Sequence, residues 1–315
     1  MVNLKDFQNS KDILSVHVME AYLICPILQR PKKAFAIPAG NLFQRFLSRG
    51  RVSCILDVHS KHILTSKIES RNVNEITLAI EHLNNLNGRF DLRKFITIYD
   101  RGYGSVELMI HTVYLDSKFL IRLNSKVFRK RIANMNSDDG IIEVNMINPF
   151  LEKISDEKVR KFAEEMGRLK VRIVKVKLKT GETEILATNL NKNEFTKEEL
   201  KELYAKRWTI ETGYDKLKNF IALEEFSGIR KEIIEQDFYA GIFMYNLATT
   251  VKFDIEKSNN REPKNKDKKY VITANFSSII TLIYDYIFQL IYESKSIKEK
   301  NNGLYSSFSL QRIII

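Results

Sequence analysis

Residues 52 to 111 constrain the fold most. Val52-Ser53-Cys54-Ile55-Leu56-Asp57-Val58 reads as a strand, Ser60-Lys61 as a turn, and His62 to Ile68 as a second, antiparallel strand. Asn74 stands where it can cap a helix running to about Leu86. That helix would bury Ile76, Ala79, Ile80, Leu83 and Leu86, and Gly88 would end it. Phe95 to Tyr99 then forms a short apolar strand, Asp100 follows at its C-terminal end, and Ser105 to His111 opens the next helix. Hairpin, helix and buried strand ending in a carboxylate describe an α/β sheet. In such sheets ligands gather at the carboxyl ends of the central strands. Asp100 therefore stands where a catalytic carboxylate is expected, although capping the following loop is also a common job for Asp.

A second feature lies about a hundred residues downstream. Thr196-Lys197-Glu198-Glu199 fits a capping box at a helix start. Within Leu203 to Lys218, Tyr204, Arg207, Glu211 and Lys218 fall at helical spacing, close to one face. A carboxylate between two cations suits a divalent ion held beside a phosphate backbone. Charged residues make up 29% of the chain, so an ordinary solvated face is the alternative for this helix taken alone.

The spacing resembles the Y-(2)-R-(3)-E-(6)-K signature of the DDE insertion-sequence transposases of the IS-four type. Phe95-Ile96-Thr97-Ile98-Tyr99-Asp100-Arg101-Gly102-Tyr103 is similar to that family's apolar strand ending in D-R-G-Y. Gln236 to Ala240, followed by Asn246-Leu247-Ala248, is similar to its next helix. The resemblance runs from about Ile37 to Leu290. It implies a ribonuclease H-like core interrupted by a β-rich insertion before the helix that carries the last catalytic Glu. Asp100 and Glu211 would be catalytic metal ligands for two Mg²⁺ ions, with Mn²⁺ as substitute. Arg207 and Lys218 would grip phosphates, with Lys216 and Arg101 as weaker candidates, and Tyr204 would bond a phosphate or stack near a displaced base. Trp208 is expected to pack behind this helix. The implied partner is double-stranded DNA, at transposon ends and target, with a homodimer in a synaptic complex. The implied location is a bacterial cytoplasm, on the nucleoid, with no membrane.

On this reading the core comprises residues 34–118 and 196–293. Residues 119–195 form the insertion, with strands at Phe119–Leu123, Ile141–Val144, Val171–Leu178 and Glu184–Thr188 and a turn at Lys179–Glu182. Val171 to Lys177 alternates, so one face is basic. That face either helps embrace DNA or guards a solvated edge. Helices are expected from about Lys231 to Val251 and from Phe276 to Glu293, with a charged loop over Glu256–Lys269 and a tail over 294–315.

The first carboxylate is the difficulty. A ribonuclease H-like core has three antiparallel strands before its first helix, with the first Asp on strand one. In the resembling transposases that Asp precedes Gly and then Ser or Thr, whereas the one Asp-Gly here is Asp139-Gly140. Counting back from Asn74, strand one should lie near Lys33–Ile37, where there is no Asp or Glu. Either Asp57 substitutes as the catalytic ligand, or the N-terminus has been lost or replaced and the chain is a transposase remnant. Residues 1–33, poorly patterned and broken by Pro26 and Pro31, favour the remnant reading.

Composition sets the remaining limits. A net charge of +12 favours a polyanionic partner. Cys25 and Cys54 make no C-x-x-C, which argues against thiolate zinc and fits a reducing compartment. His59 and His62 lack a third ligand in sequence. No Ser-His-Asp set, phosphate-cradling glycine loop or signal peptide is readable. Phe276 to Tyr292 is apolar nearly all round but reads as a core helix rather than a membrane span. Two non-enzymatic classes stay open: a DNA-binding transposase remnant, and a basic structural protein with a chance motif.

Overall fold

The structure, a computed structural model, describes residues 14–26, 47–178, 180–207, 226–228, 230–261 and 273–292. It divides into two units. The larger is built on one mixed sheet of eight strands in the order β3-β2-β1-β4-β5-β8-β7-β6. These strands are β1 (Leu14–Pro26), β2 (Leu47–Asp57), β3 (Ile63–Ser70), β4 (Phe95–Tyr99), β5 (Lys118–Arg122), β6 (Asp139–Asn145), β7 (Arg168–Lys177) and β8 (Thr183–Thr188). The interleaved helices are α1 (Glu75–Asn87), α2 (Val106–Tyr114), α3 (Arg129–Ala133), α4 (Asn148–Leu151), α5 (Glu157–Met166) and α6 (Lys197–Ala205).

The heart of the sheet is parallel. β4 pairs with β1 through Leu14↔Phe95 to His17↔Ile98, and with β5 through Ile96↔Lys118 to Tyr99↔Ile121. All five residues of β4 are buried, as a strand covered on both faces must be. β1, β2 and β3 form an antiparallel meander beside it. The sequence behaves locally as its chemistry requires. Asn74 accepts from the Ile76 N–H to start α1, which buries Leu78, Ala79, Leu83 and Leu86. Asp156 caps α5 through the N–H groups of Lys158 and Val159. At α6, the Thr196 hydroxyl accepts from the Glu199 N–H and the Glu199 carboxylate accepts from the Thr196 N–H, so the capping box is complete.

Three expectations change. Strand one is β1, at Leu14–Pro26 and not near Lys33–Ile37, so part of the segment expected to be unpatterned is a sheet strand. What makes this segment a strand is its pairing with β2 and β4, which lie far along the chain from it. The expected boundary at residue 119 falls inside β5, which belongs to the parallel heart. β8, β7 and β6 continue the same sheet beyond it through antiparallel pairing. β7 is internal, so its cations do not guard an edge. Arg172 is buried, donates from Nε and Nη2 to both Asp139 oxygens at 2.8 Å, and donates from Nη1 to the Phe195 carbonyl at 2.7 Å. The guanidinium beside Asp139 holds that carboxyl below its usual range.

The second unit contains α7 (Lys231–Arg261) and α8 (Phe276–Tyr292). α7 runs six residues, Glu256 to Arg261, into the segment expected to be a charged loop. Tyr245 and Phe276 rings meet at 5.6 Å, and Lys252 of α7 donates to the Ala274 carbonyl at 2.6 Å just before α8. Asp237, within the expected Gln236–Ala240 helix, accepts from the Ser227 N–H at 2.7 Å. No described helix is long and apolar enough to cross a membrane.

His82 gives the fold a pH dependence. It is fully buried on α1, within 3.0 Å of the Ser53 hydroxyl and 3.2 Å of the Thr65 hydroxyl. Burial, with Lys67 nearby, pushes its imidazole down to about 4. The unfolded chain takes up this proton near pH 6.5 and the folded chain does not, so stability falls as pH falls between those values. The expected loss is roughly 3 kcal/mol. Urea unfolding of wild type and His82→Gln between pH 7 and 4 checks this: the variant should lack that part of the slope, and equal slopes would refute it.

Candidate functional site

β4 delivers Asp100 to the carboxyl edge of the parallel strands. The carbonyl of Asp100 accepts from the Tyr103 N–H at 3.1 Å, closing a turn over Arg101–Tyr103. Asp100 starts that turn but makes no side-chain cap bond to it. Its carboxylate is 46% exposed and is turned to other partners.

Those partners come from the second motif. Tyr204 lies at the end of α6, buried, and its hydroxyl donates to Asp100 Oδ1 at 3.3 Å. Arg207 follows in the turn that ends the helix, its N–H bonded to the Tyr204 carbonyl. Its Nη1 lies 3.9 Å from Asp100 Oδ2, and its guanidinium carbon is 6.0 Å from the Tyr204 ring centre. Burial and the adjacent carboxylate push the Tyr204 phenol up, so it stays a neutral donor. Arg122 at the end of β5 and Glu184 on β8 add a paired charge of each sign nearby, 3.1 Å apart. The D-R-G-Y turn is also held from α1. A Cβ on Gly102 would meet Glu75 Oε2 at 2.9 Å, so only glycine passes beneath that carboxylate without a shift. Glu75 is 3.6 Å from Arg51 Nη2, and Arg51 Nη1 donates to the Val73 carbonyl at 2.6 Å.

Of the residues expected at the site, the structure thus brings together Asp100, Tyr204 and Arg207. It does not bring Asp57 to them. Asp57 pairs with Val16, which is level with Thr97, and two strand spacings separate it from β4. Strand geometry puts it roughly 14 Å from Asp100. It is 5% exposed, and Oδ1 accepts from the His59 N–H at 3.0 Å, so it serves the β2–β3 turn. Glu211, Lys218, Lys216 and Trp208 lie outside the described residues. β1 contains no Asp; its carboxylate is Glu20, in register with Ser53. Among the described residues no group of three His, Cys, Asp or Glu side chains could hold a metal ion. Asp100 lies two residues beyond Ile98, and Glu20 three beyond its partner His17, counted along the adjacent parallel strands β4 and β1.

Residues 40–247 match the transposase DDE domain. The chain belongs to that family. DNA transposition and recombination are the work of that family, for which DNA binding and divalent metals are typical. Among solved structures it is similar to a piggyBac transposase in a synaptic complex with hairpin DNA, seen by cryo-EM, at a TM-score of 0.51 and 9% identity. The likeness covers 92% of this chain and 56% of that one, and at this identity it concerns the fold. The mixed α/β sheet is consistent with the ribonuclease H-like domain of such transposases. No curated protein matches the chain.

One group of cations lies outside both motifs. Lys126, Arg129, Lys130 and Arg131 are all exposed, and no acidic residue interrupts them. The signal was available as the run Ser125-Lys126-Val127-Phe128-Arg129-Lys130-Arg131.

The contact between Tyr204 and Asp100 can be measured. A double-mutant cycle of Tyr204→Phe and Asp100→Asn, followed by urea unfolding, should give a coupling of about 1 kcal/mol. Additive effects would mean that the pair does not interact in solution.

Proposed function

We propose that this transposase-family chain acts on DNA ends in transposition, gripping phosphates with Arg207 and Lys218 while Asp100 and Glu211 serve as its metal ligands. One observation carries the reading. Two motifs a hundred residues apart in sequence meet at one carboxylate, Asp100, through Tyr204 and Arg207. A chance charged face would have no reason to close on the end of the central strand. The half-exposed carboxylate can still face solvent and a cation there. A divalent ion, Mg²⁺ or Mn²⁺, would supply a nucleophilic water and shield charge on the leaving oxygen. Arg207 would orient a phosphate by paired N–H donation, and Tyr204 would hold the Asp100 carboxylate in place.

A second reading has its own support. With Asp57 occupied at a turn, and Glu20 rather than an Asp as the carboxylate of β1, the first of the three carboxylate positions departs from the pattern expected by resemblance. On this reading it binds transposon ends without cutting them. A homodimer in a synaptic complex is part of either proposal.

The experiment is cleavage of supercoiled DNA carrying the element's ends, with Mg²⁺ or Mn²⁺, beside a binding assay. Catalysis predicts nicking that Asp100→Asn abolishes, with binding retained. Asp57→Asn should cut as wild type does. Arg207→Gln should weaken binding about tenfold, a loss of one charge-assisted contact. Binding without nicking by wild type would select the second reading, and no binding would remove both.

A further inference from the structure

Both oxygens of the Asp100 carboxylate already face a donor. Tyr204 gives its hydroxyl to Oδ1 at 3.3 Å, and Arg207 Nη1 stands 3.9 Å from Oδ2. The two donors are not equivalent. Tyr204 is neutral and takes one of about four acceptor positions that a carboxylate offers. Arg207 brings a full charge, and its side chain is 12% exposed against 46% for Asp100. Water therefore screens the guanidinium little, and Asp100 supplies part of the compensation that solvent does not. The Arg122 and Glu184 charges nearby offset each other at 3.1 Å.

A divalent ion and this guanidinium compete for the same carboxylate. An ion on Asp100 would set two further positive charges beside Arg207, where screening is weak. A phosphodiester removes the conflict. It takes a guanidinium by paired N–H donation, offsets its charge and leaves the Asp100 lone pairs to the ion. Little holds the present pair together. At 3.9 Å it is an ion pair beyond hydrogen-bond range, so exchanging it breaks no hydrogen bond. The Arg207 backbone is fixed by the bond from its N–H to the Tyr204 carbonyl, so a turn of the side chain alone separates the charges.

We propose that Arg207 keeps Asp100 closed to a divalent ion until a DNA phosphate draws the guanidinium away, so that metal and DNA bind as a coupled pair. The proposal rests on the reading above, in which Asp100 is a metal ligand and Arg207 meets phosphate, and adds the dependence of one on the other. Such coupling is reciprocal: the factor that DNA adds to metal affinity, metal adds to DNA affinity. The chain then carries its ion where DNA is present and little of it elsewhere.

The test counts bound Mn²⁺ by the loss of the free-ion signal in electron paramagnetic resonance, at fixed ionic strength. Wild type is compared with Asp100→Asn, Arg207→Gln, Arg207→Lys and a charge-matched control, Lys94→Gln, at the amino end of β4. Each is titrated alone and with a saturating short DNA duplex, and ions held by the duplex itself are subtracted. The binding that Asp100→Asn lacks is the binding at Asp100. There, wild type and control should hold Mn²⁺ at least fivefold more tightly with DNA than without, the lower end of ordinary couplings. Arg207→Gln should bind Mn²⁺ roughly threefold more tightly than wild type in the absence of DNA, because the competing charge is gone. DNA should then add less than about twofold. Arg207→Lys keeps the charge and should match wild type without DNA, whereas a merely structural loss would move both Arg207 variants alike. An Arg207→Gln affinity equal to wild type, or a wild type indifferent to DNA, overturns the coupling and leaves Asp100 a ligand. Equal Mn²⁺ binding by wild type and Asp100→Asn, with and without DNA, overturns the ligand reading and the coupling together.

Discussion

The parallel pairing of β4 with β1 and β5 is the interaction on which the rest depends. It fixes the direction in which Phe95–Tyr99 runs, and so the edge at which Asp100 emerges. A parallel strand must be reached by a crossover, and α1 and α2 supply these connections on either side of β4 in sequence. The crossovers cover the sheet, which is why β4 is buried along its whole length and carries no charge until it ends. Asp100 is the first residue at which a carboxylate can be tolerated. Fold and site are therefore one solution: the strand that is too buried to be polar delivers its polar group at the edge.

The edge is then organised by pieces that arrive from far away. α6 presents Tyr204 and Arg207, β5 and β8 contribute the Arg122–Glu184 pair, and α1 lays Glu75 over Gly102. Each charge has an opposite neighbour within ion-pair range or nearly so. At the D-R-G-Y turn a Cβ on Gly102 would stand 2.9 Å from the Glu75 carboxylate, a contact that a small shift of that flexible side chain would relieve.

Local chemistry made much of this legible beforehand. The Asn74 cap, the buried face of α1, the apolar β4 and the Thr196–Glu199 box are all written within a few residues of where they act. Spacing alone also brought out Tyr204 and Arg207. What was not legible needed the long-range sheet order. Whether Leu14–Pro26 is a strand depends on its pairing with β2 and β4, which lie far along the chain. Val171–Lys177 likewise does not disclose that Arg172 turns inward to Asp139 and the Phe195 carbonyl. Asp57 shows the same limit: an Asp near the end of a strand looks like a ligand until the register reveals that it stands three levels and two strands from Asp100. The basic run at Lys126–Arg131 was readable but carried no fixed spacing, so it stood outside the motif. The Glu211 and Lys218 positions lie outside the described residues.

The charge balance at the edge bears on the choice between cutting and holding. A divalent ion needs more negative than positive charge around it, because its ligands must offset two charges in partly desolvated surroundings. Here the described surroundings of Asp100 hold one unshared carboxylate facing Arg207, with Arg122 and Glu184 already compensating each other. A phosphate needs the reverse, and Arg207 meets it whether or not an ion is present. Loss of a carboxylate from such a site therefore acts unequally on its two tasks. Metal affinity falls because the charge that held the ion is gone, while attraction for the backbone rises because the same cations are less neutralised. A transposase fold that drifts in this direction should lose chemistry first and DNA last. The Lys126–Arg131 run beyond the site strengthens that order, since its charges do not depend on any carboxylate at all.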